Sequence, residues 1–534
     1  MTARLKVDTA EKLNQKEKVA PKEVNRKFLQ QVMPLLLAVL SGILISWSFV
    51  NVNWILIWIS FIPLIFGLAD INPKKAAILG FIFGFTIFCI SYSFIPLAIF
   101  TYTGKISLAG ILIIISAALF FSLFYAIACG LYSFITTHKY YSVSWWKNAL
   151  LFSSLILLVE AARMFWFPGF SLLAFQSGYS LASNLFAIQP VAVFGYSIMS
   201  FAVIIGNFLL AKAISKRSVR SLFYSFVFIG IYFLSGYILF EVFQSNNSRK
   251  NTYPVVLASH NFGSTLVWDE KNGDSLASIL INLNKKAVAL NPKIILWTET
   301  TIPWTIDEND DLLLKMGSEL VGKNSEMIIG TYYAMPDKRI YNTALIVNPD
   351  GNSQTYFKQN LLSIIEKPIG GEVLNLILPF MASSSVLSEG EDQQPLTTSI
   401  GKAGMMICNE AGLPCYHLAK QGCQFLINMG NDSWFPNTWL TKGHYYICRI
   451  RAVENRKDLI VNLNGGYSGL VEASGLPQNM GYNSTIGLKQ VNVSPNRKNN
   501  PFMLLSGTPL IFSLLWLLWS CLSMYFKRTK YPIT

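Results

Sequence analysis

Long runs of apolar residues dominate the chain, and they restrict its possible folds more than any other feature. Crossing the hydrocarbon core of a bilayer takes about 20 mainly apolar residues in a helix. Only 13% of the residues are charged, about half of the share typical of a water-soluble protein. We therefore predict a polytopic α-helical membrane protein with about eight transmembrane helices, the second being the shortest. The candidate spans lie near 30–50, 54–70, 76–100, 108–136, 148–166, 188–213, 222–243 and 503–526.

The stretch between the seventh and eighth spans has the composition of a water-soluble domain. We place a basic cytoplasmic leader at 1–29 and seven transmembrane helices at 30–245. One globular domain follows at 246–500, and the eighth helix with a short cytoplasmic tail at 501–534. The domain is thus attached to the membrane at both of its ends.

The basic residues that give the formal charge of +14 cluster at the edges of the predicted spans. If the spans alternate in direction, these clusters all lie on one side, while the opposite short loops carry little beyond Lys105 and Arg163. The positive-inside rule then predicts cytoplasmic termini and an extracytoplasmic domain. Because this pattern is typical of membrane topology, we expect no nucleic-acid partner. The clusters comprise Lys12, Lys16, Lys18, Lys22, Arg26, Lys27, Lys74, Lys75, Lys139, Lys147, Lys216, Arg217, Arg220, Lys527, Arg528 and Lys530.

The domain at 246–500 alternates short β-rich runs with helical stretches. Near-continuous Ile, Leu and Val in the runs indicate strands buried on both faces, as in a layered α/β sandwich. The turn sequence NPDG inside 341–351 predicts a β-hairpin. The strands are predicted at 253–260, 293–300, 326–333, 341–351, 400–410, 424–431 and 458–466, and the helices at 275–290, 311–322, 411–421 and 438–455.

Three reactive side chains stand where predicted strands end. They are Glu299 in LWTETTIPW, Lys358 in YFKQNLL and Cys408 in MMICNE. Strand ends are the usual position of catalytic groups in α/β folds. Taken singly, each has a simpler interpretation, as a solvated carboxylate, a surface lysine or an inert core cysteine.

Together and in this order, the three residues resemble the Glu, Lys, Cys triad of the nitrilase superfamily, whose members are αββα sandwiches. With transmembrane spans on both sides of the domain, the resemblance narrows to the membrane-bound branch, the apolipoprotein N-acyltransferase family. It covers nearly the whole chain. Its most specific parts are TETTIPW (298–304), YNTALIVNPDG (341–351), ICNE (407–410) and NMGNDSWFPNT (428–438).

The resemblance implies that an acyl chain passes from a membrane phospholipid, through a thioester on Cys408, to the N-terminal amine of a diacylglyceryl-modified apolipoprotein. Glu299 would take the thiol proton, which requires a pKa raised by partial burial. Lys358 and a backbone N–H near Asn409 would stabilise the oxyanion. We expect no cofactor, and a monomer in the bacterial inner membrane with its catalytic domain on the periplasmic side.

The resemblance also suggests supporting residues. Glu366 would orient Lys358 or relay a proton, although a plain surface role is an equal alternative. Glu410 matches an acidic residue two positions after the nucleophile. Trp268 and Trp434 match aromatic residues near the acyl pocket, with core packing as the alternative. Independently of the resemblance, Arg451 and Glu454, three residues apart on a predicted helix, indicate a structural ion pair.

Departures from the family pattern leave the acceptor open. Asn409 replaces the usual Tyr, residues 363–368 replace a Pro-Phe-Gly turn, and Cys415 replaces a Glu after Pro414. The alternative is a membrane-anchored nitrilase-like amidase, or an N-acyltransferase that uses a different amine. A transporter or receptor would need several ionisable residues inside the spans, and these are sparse.

The remaining domain cysteines form no metal motif. No two of Cys415, Cys423 and Cys448 are spaced as a CxxC pair, and the few histidines complete no zinc pattern. We therefore expect no metal site. An oxidising exterior would permit a disulfide among them, and the sequence leaves that possibility open.

Overall fold

The computed structural model describes residues 31–96, 108–141, 144–167, 169, 176–246, 251–263, 266–307, 309–363, 366–367, 387–391, 394–436 and 438–530. The helices before the domain are α1 (Gln31–Asn51), α2 (Ile62–Gly67), α3 (Pro73–Ser91), α4 (Leu108–Thr136), α5 (Trp145–Trp166), α6 (Ser197–Lys216) and α7 (Val219–Asn246). The domain contains α8 (Gly273–Ala289), α9 (Asp311–Ser318), α10 (Tyr416–Lys420) and α11 (Trp439–Asn455), and α12 (Thr508–Lys530) follows it.

Within this described part, seven helices are long and apolar enough to cross a membrane, namely α1, α3, α4, α5, α6, α7 and α12. The predicted second span differs, because it is a 3-10 turn (Leu56–Trp58) followed by the short helix α2. The C-terminal ends of α1 and α3 nevertheless both meet the domain side of the bundle. Ser48 contacts Ser180, next to Tyr179, whose hydroxyl donates to the Gly443 carbonyl of α11, and the Trp439 indole donates to the Ser91 carbonyl at 2.9 Å. The chain between α1 and α3 therefore returns across the bundle as a broken helix.

Asn207 of α6 holds this broken helix together. Its Oδ1 accepts a hydrogen bond from the Phe61 N–H at 2.8 Å, and its Nδ2 donates to the Ile57 carbonyl at 2.9 Å. A backbone group without a partner in hydrocarbon costs several kcal/mol, and an interruption of the helix creates such groups. The fully buried Asn207 side chain supplies the missing partners.

Two sheets form the centre of the domain, one of seven strands and one of six. The first sheet has the order β13-β1-β2-β4-β5-β6, with β3 paired to β4, and the second has the order β12-β11-β10-β9-β8-β7. The strands are β1 (Tyr253–Ser259), β2 (Ile294–Leu296), β3 (Ile302–Ile306), β4 (Glu326–Ala334), β5 (Ile340–Val347), β6 (Ser353–Phe357), β7 (Leu396–Thr398), β8 (Gly401–Ile407), β9 (Phe425–Asn431), β10 (Leu459–Asn464), β11 (Tyr467–Val471), β12 (Pro477–Tyr482) and β13 (Gly487–Val493). The predicted hairpin is confirmed by the antiparallel pairing of β5 with β6, in which Val347 faces Ser353.

The two sheets face each other across an apolar core that includes Leu296 and Ile328 of the first sheet and Met405 and Ile427 of the second. Helices α8 and α9 cover the outer face of the first sheet. Helix α11 covers the second sheet and belongs to the same apolar cluster as the membrane helices. The layers therefore run from α8 and α9 through the two sheets to α11 and then the bundle. This confirms the predicted αββα sandwich attached to a helical membrane region.

Buried charges join α11 to the bundle. Arg451 forms an ion pair with Glu454, and both side chains are almost fully buried. Glu454 also accepts from the Tyr196 N–H at 3.3 Å, and Arg449 donates to the Ala182 carbonyl at 3.0 Å. The predicted Arg451–Glu454 pair is confirmed, and it lies in the seam between the domain and the membrane helices.

Candidate active site

Glu299 lies three residues after the end of β2, on a turn pressed against the neighbouring strand. Thr300 adopts a left-handed backbone with φ +50, which is uncommon for a residue other than glycine. A Cβ atom at Gly330 of β4 would lie 2.5 Å from the Thr298 carbonyl oxygen and 2.6 Å from the Glu299 Cα. Only glycine leaves room for this approach, which fixes the backbone that carries the Glu299 carboxylate.

Lys358 follows β6 and is almost completely buried. Its Nζ lies 3.3 Å from Glu299 Oε1 and 2.8 Å from Glu366 Oε2. The Asn342 side chain of β5 joins the same carboxylates, since its Nδ2 lies 2.8 Å from an oxygen of each. The structure thus brings Glu299, Lys358 and Glu366 together around one ammonium and one amide.

The two carboxylates differ in their pKa. Burial raises the pKa of Glu299, against the opposing charge of Lys358. Burial also acts to raise the pKa of Glu366, but Lys358 and the Leu362 N–H outweigh it and hold that pKa below its usual value. Burial acts to lower the pKa of Lys358, yet the two carboxylates raise it well above its usual value. Glu299 is therefore the member of this cluster best suited to gain and lose a proton.

Cys408 stands directly after β8 with φ +54, at the start of a 3-10 turn, Cys408–Gly412. Its side chain is partly exposed, unlike those of its neighbours Ile407 and Asn409. Burial and then the charge of Glu299 raise the pKa of the thiol well above its usual value, while the charge of Lys358 opposes them. A thiol in this setting stays protonated until a base removes its proton.

Glu410 connects the Lys358 loop to the Cys408 loop. One carboxylate oxygen accepts from the Gln359 and Asn360 N–H groups at 2.8 and 3.0 Å. The other accepts from the Ile407 N–H at 2.7 Å and from the Tyr356 hydroxyl at 3.0 Å. Asn409 adds a bond from its Nδ2 to the Asn360 carbonyl at 3.0 Å. These contacts favour a positioning role for both predicted supporting residues.

The two predicted substrate-binding tryptophans have different environments. Trp268 packs edge-on against Trp304, with 5.0 Å between ring centroids, on the outer side of the first sheet. Trp434 is 39% exposed at the end of a 3-10 turn, Asp432–Trp434, that follows β9. The contacts of Trp268 are those of a packed side chain, and a role for either residue at an acyl pocket stays a prediction.

Sequence reasoning missed three polar residues near this cluster. Asn342 lies in the predicted hairpin. Asp432 lies in the NMGNDSWFPNT segment, and its Oδ1 is 2.7 Å from Nδ1 of the buried His444. The charge of Asp432 also acts to raise the pKa of Cys408. For Asn342 and Asp432, the available signal was their position inside segments that carried the resemblance, but no strand-end rule selected them.

The rim of the site touches the membrane helices. The Ser363 N–H, in the loop after Lys358, donates to the Gly169 carbonyl at 3.1 Å, and a Cβ at Gly169 would lie 2.4 Å from Ser363 Oγ. On another side, Phe94 at the end of α3 packs edge-on against Phe435 and Trp439. Chain segments before the domain therefore help to build its rim.

All seven cysteines lie in the described part of the chain and are unbridged. The thiols of Cys415 and Cys448 accept hydrogen bonds from the Asn455 and Asn428 amides, and Cys423 is buried. The disulfide that the sequence left open is thus not formed. Among the described residues, no group of three or more His, Cys, Asp or Glu side chains is arranged to hold a metal ion.

The amino-acid sequence matches two family descriptions in succession. Residues 41–209 match the apolipoprotein N-acyltransferase N-terminal domain, and residues 268–472 match carbon-nitrogen hydrolase. The chain is 25% identical over 467 residues to the apolipoprotein N-acyltransferase of Geobacter metallireducens, which covers 82% of this chain and 85% of that relative. For the apolipoprotein N-acyltransferase of Pseudomonas syringae pv. tomato, the identity is 26% over 497 residues, covering 89% and 94%. A solved CN-hydrolase superfamily protein from Xanthomonas campestris aligns with 53% of this chain and 96% of its own, at 13% identity and a TM-score of 0.34.

Proposed function

This chain belongs to the apolipoprotein N-acyltransferase family, and we propose that it transfers an acyl chain from a membrane phospholipid to the N-terminal amine of a diacylglyceryl-modified apolipoprotein. One observation carries the proposal. Glu299, with a raised pKa, shares the Lys358 ammonium with Glu366, and the charges of Glu299 and Lys358 act on the thiol of Cys408. That combination suits nucleophilic attack on an ester carbonyl.

In the first half-reaction, Glu299 accepts the Cys408 proton as the sulfur attacks the ester carbonyl of the phospholipid. The carbonyl oxygen becomes an oxyanion, which the Lys358 ammonium and a backbone N–H near Asn409 stabilise. Removing one such donor typically raises the barrier by about 3 kcal/mol. When the C–O bond breaks, Glu299 returns the proton to the departing alkoxide, so that a lysophospholipid leaves and a thioester remains on Cys408.

In the second half-reaction, the amine of the N-terminal cysteine of the apolipoprotein attacks the thioester carbonyl. Glu299 accepts a proton from the attacking nitrogen, and the same donors stabilise the second oxyanion. As the C–S bond breaks, the sulfur leaves as a thiolate and recovers a proton from Glu299. The products are an N-acylated lipoprotein and the free thiol, with no net gain or loss of protons by the enzyme.

The placement of the site supports lipid substrates at both steps. The loop after Lys358 contacts Gly169, which belongs to the connection after α5, and on another side Phe94, just after α3, packs against Trp439 of α11. Substrates confined to the bilayer reach such a site by lateral diffusion. We propose that the protein lies in the inner membrane as a monomer, with the domain on the periplasmic side and both termini in the cytoplasm.

Trapping the acyl-enzyme tests the mechanism. Incubating the protein with a phospholipid labelled in its acyl chains is expected to place the label on Cys408 as a hydroxylamine-labile thioester, located by mass spectrometry of the peptide. Cys408→Ala is expected to carry no label. Cys521→Ala is the matched control, since Cys521 is an exposed cysteine of α12, and its labelling should equal that of the unaltered protein. Undiminished label on Cys408→Ala would disprove the thioester.

The acceptor is tested in cells. Removing this protein is expected to remove the N-linked acyl chain from the N-termini of lipoproteins, as measured by mass spectrometry. Restoring the Cys408→Ala variant should not bring the acyl chain back. If the thioester forms but the lipoprotein N-termini keep their acyl chain in the deleted strain, the acceptor is a different amine.

A further inference from the structure

A cavity with a volume of about 240 Å³ lies between the end of α7 and residues 496–502, which precede α12. On the side of the domain it is lined by Arg456, Lys498 and three asparagines, Asn496, Asn499 and Asn500. On the side of the membrane its lining is apolar and includes Val242, Phe243 and Phe502. Among the described residues, no acidic side chain lines it. The lining thus changes from cationic to apolar across one cavity.

The cavity lies at the edge of the bilayer. Val242 is 53% exposed and Leu504, just before α12, is 89% exposed. Apolar side chains exposed at the end of a transmembrane helix face lipid, and the polar lining beyond them lies at the depth of the lipid headgroups. The leaflet concerned is the one next to the domain, because α7 ends and α12 begins there.

Arg456 is the deepest cation in this cavity. It ends α11 in a left-handed backbone with φ +52, and only 6% of it is exposed. Its Nη1 donates to Gln189 Oε1 at 2.9 Å and to the Ala473 carbonyl at 3.2 Å. The guanidinium also lies 4.3 Å from the centroid of the Phe243 ring. In the described part of the chain its Nε and Nη2 have no hydrogen-bond partner.

No carboxylate among the described residues lies within ion-pair distance of Arg456. Five residues earlier on the same helix, the buried Arg451 has Glu454 as its counter-ion. A buried cation without an opposite charge is costly, and consistently burial lowers the pKa of Arg456 to about 9. Arg456 is therefore a buried cation without a counter-ion among the described residues.

Lys457 holds the mouth of the cavity in place. Its Nζ donates to the carbonyls of Asn496 and Lys498, the latter at 3.0 Å. Of two neighbouring basic residues at the mouth, Lys498 lines the cavity and the exposed Arg497 does not. The fold thus offers one exposed lysine beside the buried guanidinium, and one nearby arginine outside the cavity.

We propose that this cavity binds a phospholipid of the leaflet next to the domain, with the phosphate on Arg456 and Lys498 and an acyl chain along Val242 and Phe502. A planar guanidinium suits the two oxygens of a phosphodiester. From 444 to 456 along α11, a rise of 1.5 Å per residue places Arg456 about 18 Å from His444, which lies near the Cys408 cluster. The bound lipid is therefore not the reacting acyl donor, and it bridges α7 and the domain.

The binding test uses the full-length protein in detergent as the Cys408→Ala variant, so that no turnover occurs. Phosphatidylglycerol with a photoreactive group in an acyl chain is expected to cross-link to peptides that contain Val242 or Phe502. Unlabelled phosphatidylglycerol should compete. Diacylglycerol lacks the phosphate, glycerol 3-phosphate lacks the chains, and neither should compete. If glycerol 3-phosphate alone competes, the ligand is a soluble phosphate ester and the proposal of a bound lipid is wrong.

Charge reversal at the mouth locates the phosphate. Lys498→Glu is expected to weaken competition by phosphatidylglycerol by about fivefold, the effect of losing one exposed ion pair and adding a repulsion. Arg497→Glu makes the same charge change one residue away and should leave the competition unchanged. Arg456→Gln is expected to abolish cross-linking at these peptides, and Arg456→Lys to retain part of it. Equal competition in Lys498→Glu and Arg497→Glu would overturn the proposal even if the Arg456 variants fail to fold.

Discussion

The surroundings of each carboxylate at Lys358 set its chemical role. Glu366 accepts from the Leu362 N–H at 2.6 Å and from Lys358 at 2.8 Å, so its charge is compensated. Glu299 is more deeply buried and shares the same ammonium at 3.3 Å. Because Glu366 and Glu299 share the Lys358 ammonium unequally, Glu366 stays charged and Glu299 is able to carry a proton.

The raised pKa of Glu299 predicts the pH dependence of thioester formation. A general base acts only when ionised, so kcat/KM is expected to fall as the pH drops through the raised pKa of Glu299, at a higher pH than for an exposed glutamate. The Glu366 charge contributes to raising that pKa. Glu366→Gln should therefore move the acidic limb to lower pH, besides reducing the maximal rate. An acidic limb at the same pH in both proteins would contradict this assignment.

Asn342 is expected to be a positioning residue for both carboxylates. Asn342→Leu removes the amide that donates to Glu299 and Glu366, and hydrogen bonds to charged groups contribute about 1.5–3 kcal/mol. We expect kcat/KM of thioester formation to fall by about ten- to a hundredfold, with a shifted pH profile. Asn352→Leu is the control, because its exposed amide donates to Asp350 in the hairpin turn and to no other residue that the structure describes. A change within twofold for Asn342→Leu would rule out this role.

At the residue level, the strand-end pattern identified Glu299, Lys358 and Cys408, and the structure places Glu299 and Lys358 in contact. It did not identify Asn342, because an asparagine inside a strand has no sequence signature until its cross-strand neighbours are known. Three of the four contacts of Glu410 were equally inaccessible, since Tyr356, Gln359 and Asn360 lie about 50 residues before it.

The turn that carries Glu299 depends on close packing between two elements. Gly330→Ala places a methyl group 2.5 Å from the Thr298 carbonyl oxygen, and overpacking of this kind costs about 1–3 kcal/mol. We expect a lower unfolding temperature and a larger loss of activity, because the displaced backbone is that of Glu299. Gly317→Ala is the control, since the nearest described atom to its added methyl would be a Val347 methyl at 3.5 Å. Equal effects of the two substitutions would refute the argument.

The second crossing of the membrane illustrates what an apolar pattern leaves undetermined. Its residues are apolar enough to predict a span, yet the helix is interrupted between Trp58 and Ile62. The interruption is stable because Asn207 lies opposite it on a helix 146 residues further along the chain. Hydropathy detects the apolar run but not this long-range hydrogen bond.

Removing the Asn207 amide is expected to destabilise the bundle. Asn207→Leu leaves the Phe61 N–H without its partner and removes one of the two donors to the Ile57 carbonyl, and an unpaired buried group costs about 1–3 kcal/mol. The unfolding temperature in detergent should fall accordingly. Ser225→Ala is the control, because among the described residues this buried hydroxyl bonds only within its own helix, to the Ser221 carbonyl. An equal unfolding temperature for the two variants would show that Asn207 does not stabilise the break.

At the scale of the whole molecule, the alternating helix directions predict opposite exposure of two surface positions. A membrane-impermeant thiol reagent applied to spheroplasts is expected to label Asp337→Cys, in the domain, and not Lys216→Cys, at the far end of α6. Both native residues are exposed. The background should carry Cys89→Ser, Cys408→Ser and Cys521→Ser, which replace the cysteines that are not buried, so that only the introduced thiol reacts. Labelling of Lys216→Cys in intact spheroplasts would show that the orientation is opposite to the one we propose.

The architecture at this scale was largely predictable. Apolar runs and strand-like runs gave the helical region and the sandwich, because each depends on local periodicity. The seam between them was not predictable, since residues such as Gln189 and Arg456 meet only when distant segments fold together.

Helix α11 is buried along most of its length, because one side lies on a sheet and the other on the bundle. Cutting the chain at 250 and 495 would therefore expose the apolar face of this helix and remove the Tyr196 N–H from Glu454 and the Ala182 carbonyl from Arg449. Such a fragment would aggregate rather than fold as a separate, water-soluble hydrolase. The domain and the membrane helices thus fold as one unit, and an enzyme built in this way stays attached to the membrane that holds its substrates.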